Sequence, residues 1–167
     1  YDMLPSLKEV TPREGTSIIS KDISLSVEDG FADEAKLLIQ NLKEMGYNVT
    51  DKGQTVIALC HFPQNMQAKN DEHYRLDVKD KYITVSGGTP HAIFNGTQTL
   101  VSLLKKQTIP AKLENIAIND YPDLLYRGMM LDIARNFTKK ADLLKLINQL
   151  AAYKINVLHF HFSDDEA

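Results

Sequence analysis

The polar residues best suited to chemistry lie in the last quarter of the sequence, close to the ends of two short apolar runs. They are Asp132, Arg135, His161, Asp164 and Asp165. A guanidinium offers several donors in one plane, which suits a two-point grip on hydroxyl groups. Two neighbouring carboxylates raise the pKa of one of the pair when both are buried. The pattern predicts a polar site, with a plain surface arginine and a solvated acidic turn as the alternatives.

The segment that must position these residues is predicted to be a strand, a helix and a second strand. Residues 125–133 and 157–162 are apolar runs, and Thr138 is placed to cap the helix between them. Apolar residues recur at helical spacing in that helix: Leu143, Leu144, Ile147, Leu150 and Ala151. Two strands joined by a helix form a right-handed βαβ unit. In barrels of such units the chemistry lies at the carboxyl ends of the strands, so one shared pocket floor is predicted.

The charged residues occupy different positions along the strands, so different roles are expected for them. Adjacent strand residues point to opposite faces, so only one aspartate of the pair faces the pocket, and we expect it to be Asp164 rather than Asp165. Asp132 lies near the carboxyl end of its strand, where it either holds Arg135 in place or is structural. Arg127 begins its strand, at the end away from the chemistry, and is expected to be structural.

His159 and His161 are two residues apart and share a strand face. His-x-His at a barrel strand end is also a metal-ligand spacing, which makes a metal-dependent hydrolase an alternative. A full strand and helix precede the motif and no further ligand set is visible, so we expect one histidine near the pocket and one in the core. No metal and no organic cofactor is expected.

Composition excludes several classes of protein. The 167 residues are 43% hydrophobic and 25% charged, as in a soluble globular protein. The net charge of −3 gives no sign of nucleic-acid binding. No apolar run approaches the roughly 20 residues of a membrane span. The single cysteine, Cys60, rules out an intrachain disulfide and lies in an apolar run, so a buried structural thiol is expected.

The preceding residues predict a compact α+β domain. Residues 1–16 are predicted to be an extended lead-in. Residues 17–118 are predicted to form one mostly antiparallel sheet with two helices on a single face. One helix is amphipathic over 33–45, and the other is capped by Thr89 with a proline next to it. Residues 119–167 are predicted to hold the βαβ unit, the repeat from which a (β/α)8 barrel is built.

Two stretches of the sequence carry a specific resemblance. YRGMMLDIARNF and KINVLHFHFSDDE are similar to the first two strands of the catalytic barrel of family 20 glycoside hydrolases, the β-N-acetylhexosaminidases. The sequence departs from the family pattern at Asn136, where His is usual, and at Ala167, where Gly is usual. The stretch from YRLDV to VSGGTPHAIFNGTQTL resembles the domain that precedes the barrel in that family.

The resemblance implies a retaining enzyme that removes terminal β-linked N-acetylhexosamine from glycans by substrate assistance. It implies that Arg135 holds the terminal sugar through its ring hydroxyls, and that Asp164 orients the catalytic glutamate. His161 would lie near the sugar, with Asp132 and Asp165 as supporting residues, and His159 would be structural. It also implies a location outside the cytoplasm, whether periplasmic, secreted or lysosome-like.

The catalytic acid itself is expected to lie outside these residues. In the family it belongs to an Asp-Glu pair that follows Gly-Gly on the fourth barrel strand, and the pairs at 33–34, 71–72 and 165–166 do not match that context. A full barrel needs about 200 residues or more. The sequence is therefore interpreted as the N-terminal portion of a larger enzyme, inactive by itself. The alternative is a non-catalytic binding or adaptor module with the same fold.

Overall fold

The computed structural model describes residues 3–163. The chain divides into two compact units, Tyr1–Pro122 and Asp123–Ala167. Asp164 and Asp165 lie outside the described residues, so the roles predicted for them stay predictions. No helix in the described part combines the length and the apolar character needed to cross a membrane.

The first unit is built on one seven-stranded sheet. Its strands are β1 (Glu9–Ile19), β2 (Asp22–Val27), β3 (Asn48–Val49), β4 (Thr55–His61), β5 (Tyr74–Lys79), β6 (Tyr82–Gly87) and β7 (Ala111–Asp120). Their order across the sheet is β1-β7-β5-β6-β4-β2-β3. The pairs from β1 to β6 are antiparallel, and those from β6 to β3 are parallel. The predicted mostly antiparallel sheet therefore describes one half, whereas crossover connections make the other half parallel, through α1 between β2 and β3 and through β5 between β4 and β6.

Two helices, α1 (Ala32–Glu44) and α2 (Pro90–Lys105), lie on this sheet. α1 buries Ala35, Leu38 and Leu42, which recur at intervals of three and four residues. At the start of α2, Thr89 Oγ1 accepts the backbone N–H of Ala92 at 3.1 Å, as predicted for its cap. The helices contact each other as well as the strands, so they cover a single face.

Residues 1–16 were predicted to be an extended lead-in, but their second half belongs to strand β1 of the sheet. This strand begins at Glu9 and pairs with β7, with a register shift between Pro12 and Thr16. Gly15 has φ of +88° within this bulge, and Asn115 Nδ2 donates to the carbonyl of Glu14 at 2.8 Å. Pro12 is tolerated because β1 is an edge strand, and the bulge interrupts the alternation of side chains between the two faces. For both reasons the strand could not be recognised from the sequence pattern.

The second unit consists of β8 (Gly128–Asp132), α3 (Lys140–Ala152) and β9 (Val157–His161). β8 and β9 pair in parallel, as the predicted βαβ unit requires. The prediction that Thr138 caps α3 is wrong, because the cap position is Lys139 and no side chain caps the helix. β8 is also shorter than the apolar run 125–133, since Leu125 is exposed and lies before the strand.

Candidate functional site

The carboxyl ends of β8 and β9 lie side by side. The parallel register pairs Met130 with His159 and Asp132 with His161. Paired residues of neighbouring strands project to the same face of a sheet, so these four side chains share a face. Arg135 follows in the loop after β8. Three of the predicted site residues, Asp132, Arg135 and His161, are therefore brought together.

Asp132 contacts every other member of this cluster. Its Oδ1 accepts the backbone N–H groups of Ala134 and Arg135, each at 3.1 Å. Its Oδ2 accepts from Arg135 Nη1 at 2.6 Å, and His161 Nδ1 lies 3.2 Å from Oδ1. The predicted contact between Asp132 and Arg135 is present. The same carboxylate also ties β9 to the loop after β8.

These donors favour the ionised form of Asp132. The backbone N–H of Arg135, and then its guanidinium, hold the pKa of the Asp132 carboxyl well below its ordinary value. Partial burial acts in the opposite direction but is outweighed, and His161 adds to the lowering. Asp132 is therefore an acceptor only, with no proton to donate at neutral pH.

Arg135 is anchored by Asp132 yet open to solvent. Its side chain is 64% exposed. A guanidinium carries five N–H donors in a fixed plane, and the bond from Nη1 to Asp132 fixes the orientation of that plane. The chemistry of the group is donation in a fixed direction, which suits hydroxyl or carboxylate oxygens of a ligand.

The two histidines occupy different environments. The side chain of His161 is 36% exposed and contacts Asp132. His159 is exposed, which differs from the core position expected for it. Its register partner Met130 is exposed as well, because the two-stranded sheet leaves this face open. Within residues 3–163, no group of three His, Cys, Asp or Glu side chains is placed to hold a metal ion.

The opposite end of the strand pair is held by Arg127 and Asn156. Arg127 donates from Nε to the carbonyl of Lys154 at 2.8 Å and from Nη1 to that of Leu124 at 2.7 Å. Asn156 Oδ1 accepts the Arg127 N–H at 3.0 Å, and its Nδ2 donates to the carbonyl of Leu125 at 2.7 Å. These contacts agree with a structural role for Arg127. Asn156 was not among the predicted site residues; its signal in the sequence is an amide between apolar residues at a helix–strand junction.

Two of the three Asp-Glu pairs lie in the first unit and make structural contacts. The pair at 33–34 occupies the first turn of α1, where the helix dipole favours carboxylates. Glu72 is buried. Its Oε2 accepts from Asn95 Nδ2 at 2.9 Å and lies 3.3 Å from His91 Nε2. The third pair, at 165–166, lies outside the described residues.

The sequence matches two descriptions of one protein family. Residues 1–121 match "Glycosyl hydrolase family 20, domain 2". Residues 124–167 match "Glycosyl hydrolase family 20, catalytic domain". The chain therefore belongs to glycosyl hydrolase family 20, as the sequence resemblance predicted.

Relatives of known name are similar along almost the entire chain. The beta-hexosaminidase B of Pseudoalteromonas piscicida is 32% identical over 165 residues, which are 98% of this chain and 21% of the relative. The beta-hexosaminidase of Vibrio vulnificus is 34% identical over 171 residues, or 98% of this chain and 19% of the relative. The chain thus spans about a fifth of the length of these curated relatives.

Solved structures show the same fold. The exo beta-N-acetylglucosaminidase of Vibrio harveyi, determined with N-acetylglucosamine, superposes with a TM-score of 0.84 at 27% identity. That match covers 99% of this chain and 26% of the other. The beta-N-acetylhexosaminidase of Streptomyces coelicolor A3(2) superposes with a TM-score of 0.82 at 28% identity, covering 99% and 35% of the two chains.

Proposed function

We propose that the protein to which these 167 residues belong is a β-N-acetylhexosaminidase, which removes terminal β-linked N-acetylhexosamine from glycans. The observation that carries the proposal is the strand-end cluster in which Asp132 binds both Arg135 and His161. Its support is the match of the chain to both domains of family 20 and the names of its relatives. The substrate is a glycan, and no metal or organic cofactor takes part.

Arg135 binds the terminal sugar in this proposal. Sugar hydroxyls accept hydrogen bonds from a guanidinium, and a donor plane already fixed by Asp132 loses little freedom when the sugar binds. His161 lies beside it at the end of β9. Asp164 and Asp165 follow three and four residues after His161 in the sequence, and we assign Asp164 to the orientation of the catalytic acid and Asp165 to its support.

The chemistry proceeds by substrate assistance. The acetamido oxygen at C2 of the sugar attacks the anomeric carbon while a carboxylic acid protonates the leaving oxygen, and water then opens the cyclic intermediate with net retention. The protein must therefore hold the sugar, orient the acetamide and supply one acid. No acid is assigned among residues 1–167, because none of the three Asp-Glu pairs follows Gly-Gly.

The remaining parts of the proposal concern architecture and location. The βαβ unit of β8, α3 and β9 is the first unit of a (β/α)8 barrel, whose strand ends carry the site. The protein acts outside the cytoplasm, where terminal sugars of extracellular or internalised glycans are available. The support for both statements is the family membership of the chain.

Hydrolysis of three aryl glycosides by the whole protein tests the proposal. The β-linked N-acetylglucosaminide, the β-linked N-acetylgalactosaminide and the plain β-glucoside share a leaving group, and only the first two carry the acetamide. We expect release from at least one of the acetamido substrates and none above a buffer blank from the β-glucoside. Equal cleavage of the glucoside, or no cleavage of either acetamido substrate by the folded protein, would overturn the proposal.

A further inference from the structure

Within residues 3–163, protein groups bind the His161 imidazole at one nitrogen only. Nδ1 lies 3.2 Å from Asp132 Oδ1. Within the described part of the chain, Nε2 has no hydrogen-bond partner. The ring is neither buried nor fully exposed, with 36% of its side-chain surface accessible. The nitrogen that protein leaves open is therefore the one that a ligand can bind.

The bond to Asp132 decides which nitrogen carries the hydrogen. Asp132 already accepts from Ala134 N, Arg135 N and Arg135 Nη1, and an ionised carboxylate has only acceptor sites. Nδ1 must therefore be the protonated nitrogen that faces it. In a neutral imidazole the other nitrogen is then a bare acceptor, because the partner of one nitrogen sets the state of the other.

We propose that Asp132 is a positioning residue that fixes His161 as the Nδ1-protonated tautomer, so that Nε2 accepts a hydrogen bond from a sugar hydroxyl while Arg135 donates to a neighbouring one. The identity of the ligand as a sugar rests on the proposed function; the tautomer does not. A guanidinium only donates, whereas a hydroxyl both donates and accepts. A donor and an acceptor bridged by one carboxylate thus match two adjacent hydroxyls better than either group alone.

The tautomer is measured directly by solid-state ¹⁵N NMR of the whole protein, which does not depend on activity. The protein is labelled with histidine carrying ¹⁵N at Nδ1 alone and studied at about pH 8, where an ordinary imidazole is neutral. The His161 signal is assigned by its loss in His161→Asn. We expect a protonated Nδ1 in the wild type and a shift toward a bare nitrogen in Asp132→Ala.

The control for that measurement is Asp142→Ala, which removes an aspartate from an exposed pair with Lys145 at the same spacing of three residues. It should leave the His161 signal unchanged. A bare Nδ1 in the wild-type protein would overturn the proposal. So would a His161 signal that is the same in Asp132→Ala and in the wild type, while the rest of the histidine spectrum shows that the variant is folded.

The acceptor role of Nε2 is tested with monodeoxy substrates. His161→Asn keeps an N–H that can reach Asp132 but has no atom in place of Nε2. One neutral hydrogen bond corresponds to roughly a 2- to 10-fold change in binding, so we expect KM for the parent N-acetylglucosaminide to rise by about that factor. For one deoxy analogue, the variant and the wild type should have equal kcat/KM, because the hydroxyl that His161 binds is absent.

His159→Asn is the matched control, since His159 lies on the same face of β9 as His161 but has no contact with Asp132 in the described part of the chain. Its kcat/KM should stay within about twofold of wild type for every substrate. Unchanged KM in His161→Asn, or an equal loss with all deoxy analogues, would contradict the role of Nε2. If the wild-type protein cleaves no acetamido substrate, the proposed function fails, and the ¹⁵N measurement still decides the tautomer.

Discussion

Asp132 and Arg135 are three residues apart, and the turn between them lets one carboxylate accept from both the backbone and the side chain of the arginine. Exposed ion pairs contribute little to stability, typically less than about 1 kcal/mol. The contribution of this pair is therefore to orientation. A guanidinium that is already fixed loses less entropy on binding a ligand than a free one.

Replacement of Arg135 by alanine should therefore reduce turnover more than stability. A hydrogen bond from a charged donor contributes about 1.5–3 kcal/mol. We expect Arg135→Ala to lower kcat/KM of the whole protein by roughly one to two orders of magnitude, measured with an aryl N-acetyl-β-glucosaminide. Thermal unfolding of the variant should stay close to that of the wild type.

Arg127→Ala is the control, because Arg127 binds the carbonyls of Leu124 and Lys154 instead of facing the site. It should lower the melting temperature and leave kcat/KM of the folded protein nearly intact. The assignment of Arg135 is contradicted if Arg135→Ala keeps kcat/KM within about twofold of wild type, or if Arg127→Ala reduces it as strongly.

At the scale of elements, the two threonines predicted to cap helices have different surroundings. Thr89 accepts the N–H of Ala92, and its hydroxyl also donates to the carbonyl of Asp71. Thr138 lies outside the cap position of α3 and makes one long contact, 3.5 Å, with the carbonyl of Asn136. We expect Thr89→Ala to lower the free energy of unfolding by about 1 kcal/mol. Thr138→Ala should change it by less than about 0.5 kcal/mol.

Denaturant unfolding of the 167-residue chain, followed by circular dichroism, measures both variants. Equal losses from Thr89→Ala and Thr138→Ala would mean that Thr138 does stabilise α3. A loss from Thr138→Ala alone would contradict the cap assignments of both helices.

The elements that the sequence predicted well are those with local signals. The period of α1 and the Thr-Pro start of α2 each depend on residues close together in the chain. β1 was missed because its pairing is with β7, about a hundred residues away, and because a bulge interrupts its pattern. The parallel half of the sheet was missed for a related reason, since strand direction depends on crossovers that local pattern does not encode.

Tyr74, at the start of β5, makes the stability of the first unit depend on pH in the alkaline range. Its buried hydroxyl donates to Asp120 Oδ2 at 2.7 Å and lies 2.6 Å from Thr99 Oγ1. Burial, and then the charge of Asp120, raise the pKa of Tyr74 well above its usual value. An unfolded tyrosine ionises near pH 10. The stabilisation from Tyr74 is therefore fully present below about pH 10 and is lost as the pH rises further.

Tyr74→Phe should destabilise the chain by about 1–3 kcal/mol at neutral pH, because it removes a hydrogen bond to a buried carboxylate. The difference from wild type should shrink above about pH 10, as measured by denaturant unfolding over a pH series. Tyr82→Phe, on the exposed ring of Tyr82, should change stability by less than about 0.5 kcal/mol. A stability difference between Tyr74→Phe and wild type that stays constant to pH 12 would contradict the predicted loss of the Tyr74 contribution at alkaline pH.

At the scale of the whole molecule, the site was predictable where its parts are close in sequence. The contact of Asp132 with Arg135 follows from a spacing of three residues. The contact of Asp132 with His161 depends on the register of β8 and β9, which places the two residues opposite each other. That register cannot be deduced from two short apolar runs, so the tie between the strand ends was not predicted. The roles of Asp164 and Asp165 remain predictions.

One comparison tests which residues of the whole protein bind the sugar and which supply the catalytic acid. Residues 1–167 are assigned the groups that hold the sugar and not the acid that protonates the leaving oxygen. The acetamide of the substrate can replace a protein nucleophile, but it cannot replace that acid. Asp164 is not assigned as a substitute, because its proposed place is beside the acid.

The most direct measurement is therefore release of the aryl group from an N-acetyl-β-glucosaminide by the purified 167-residue chain and by the whole protein, side by side. We expect release by the whole protein and a rate equal to the buffer blank for the 167-residue chain. Release by the 167-residue chain above the blank, abolished by Asp164→Asn, would contradict this assignment and place the acid within these residues.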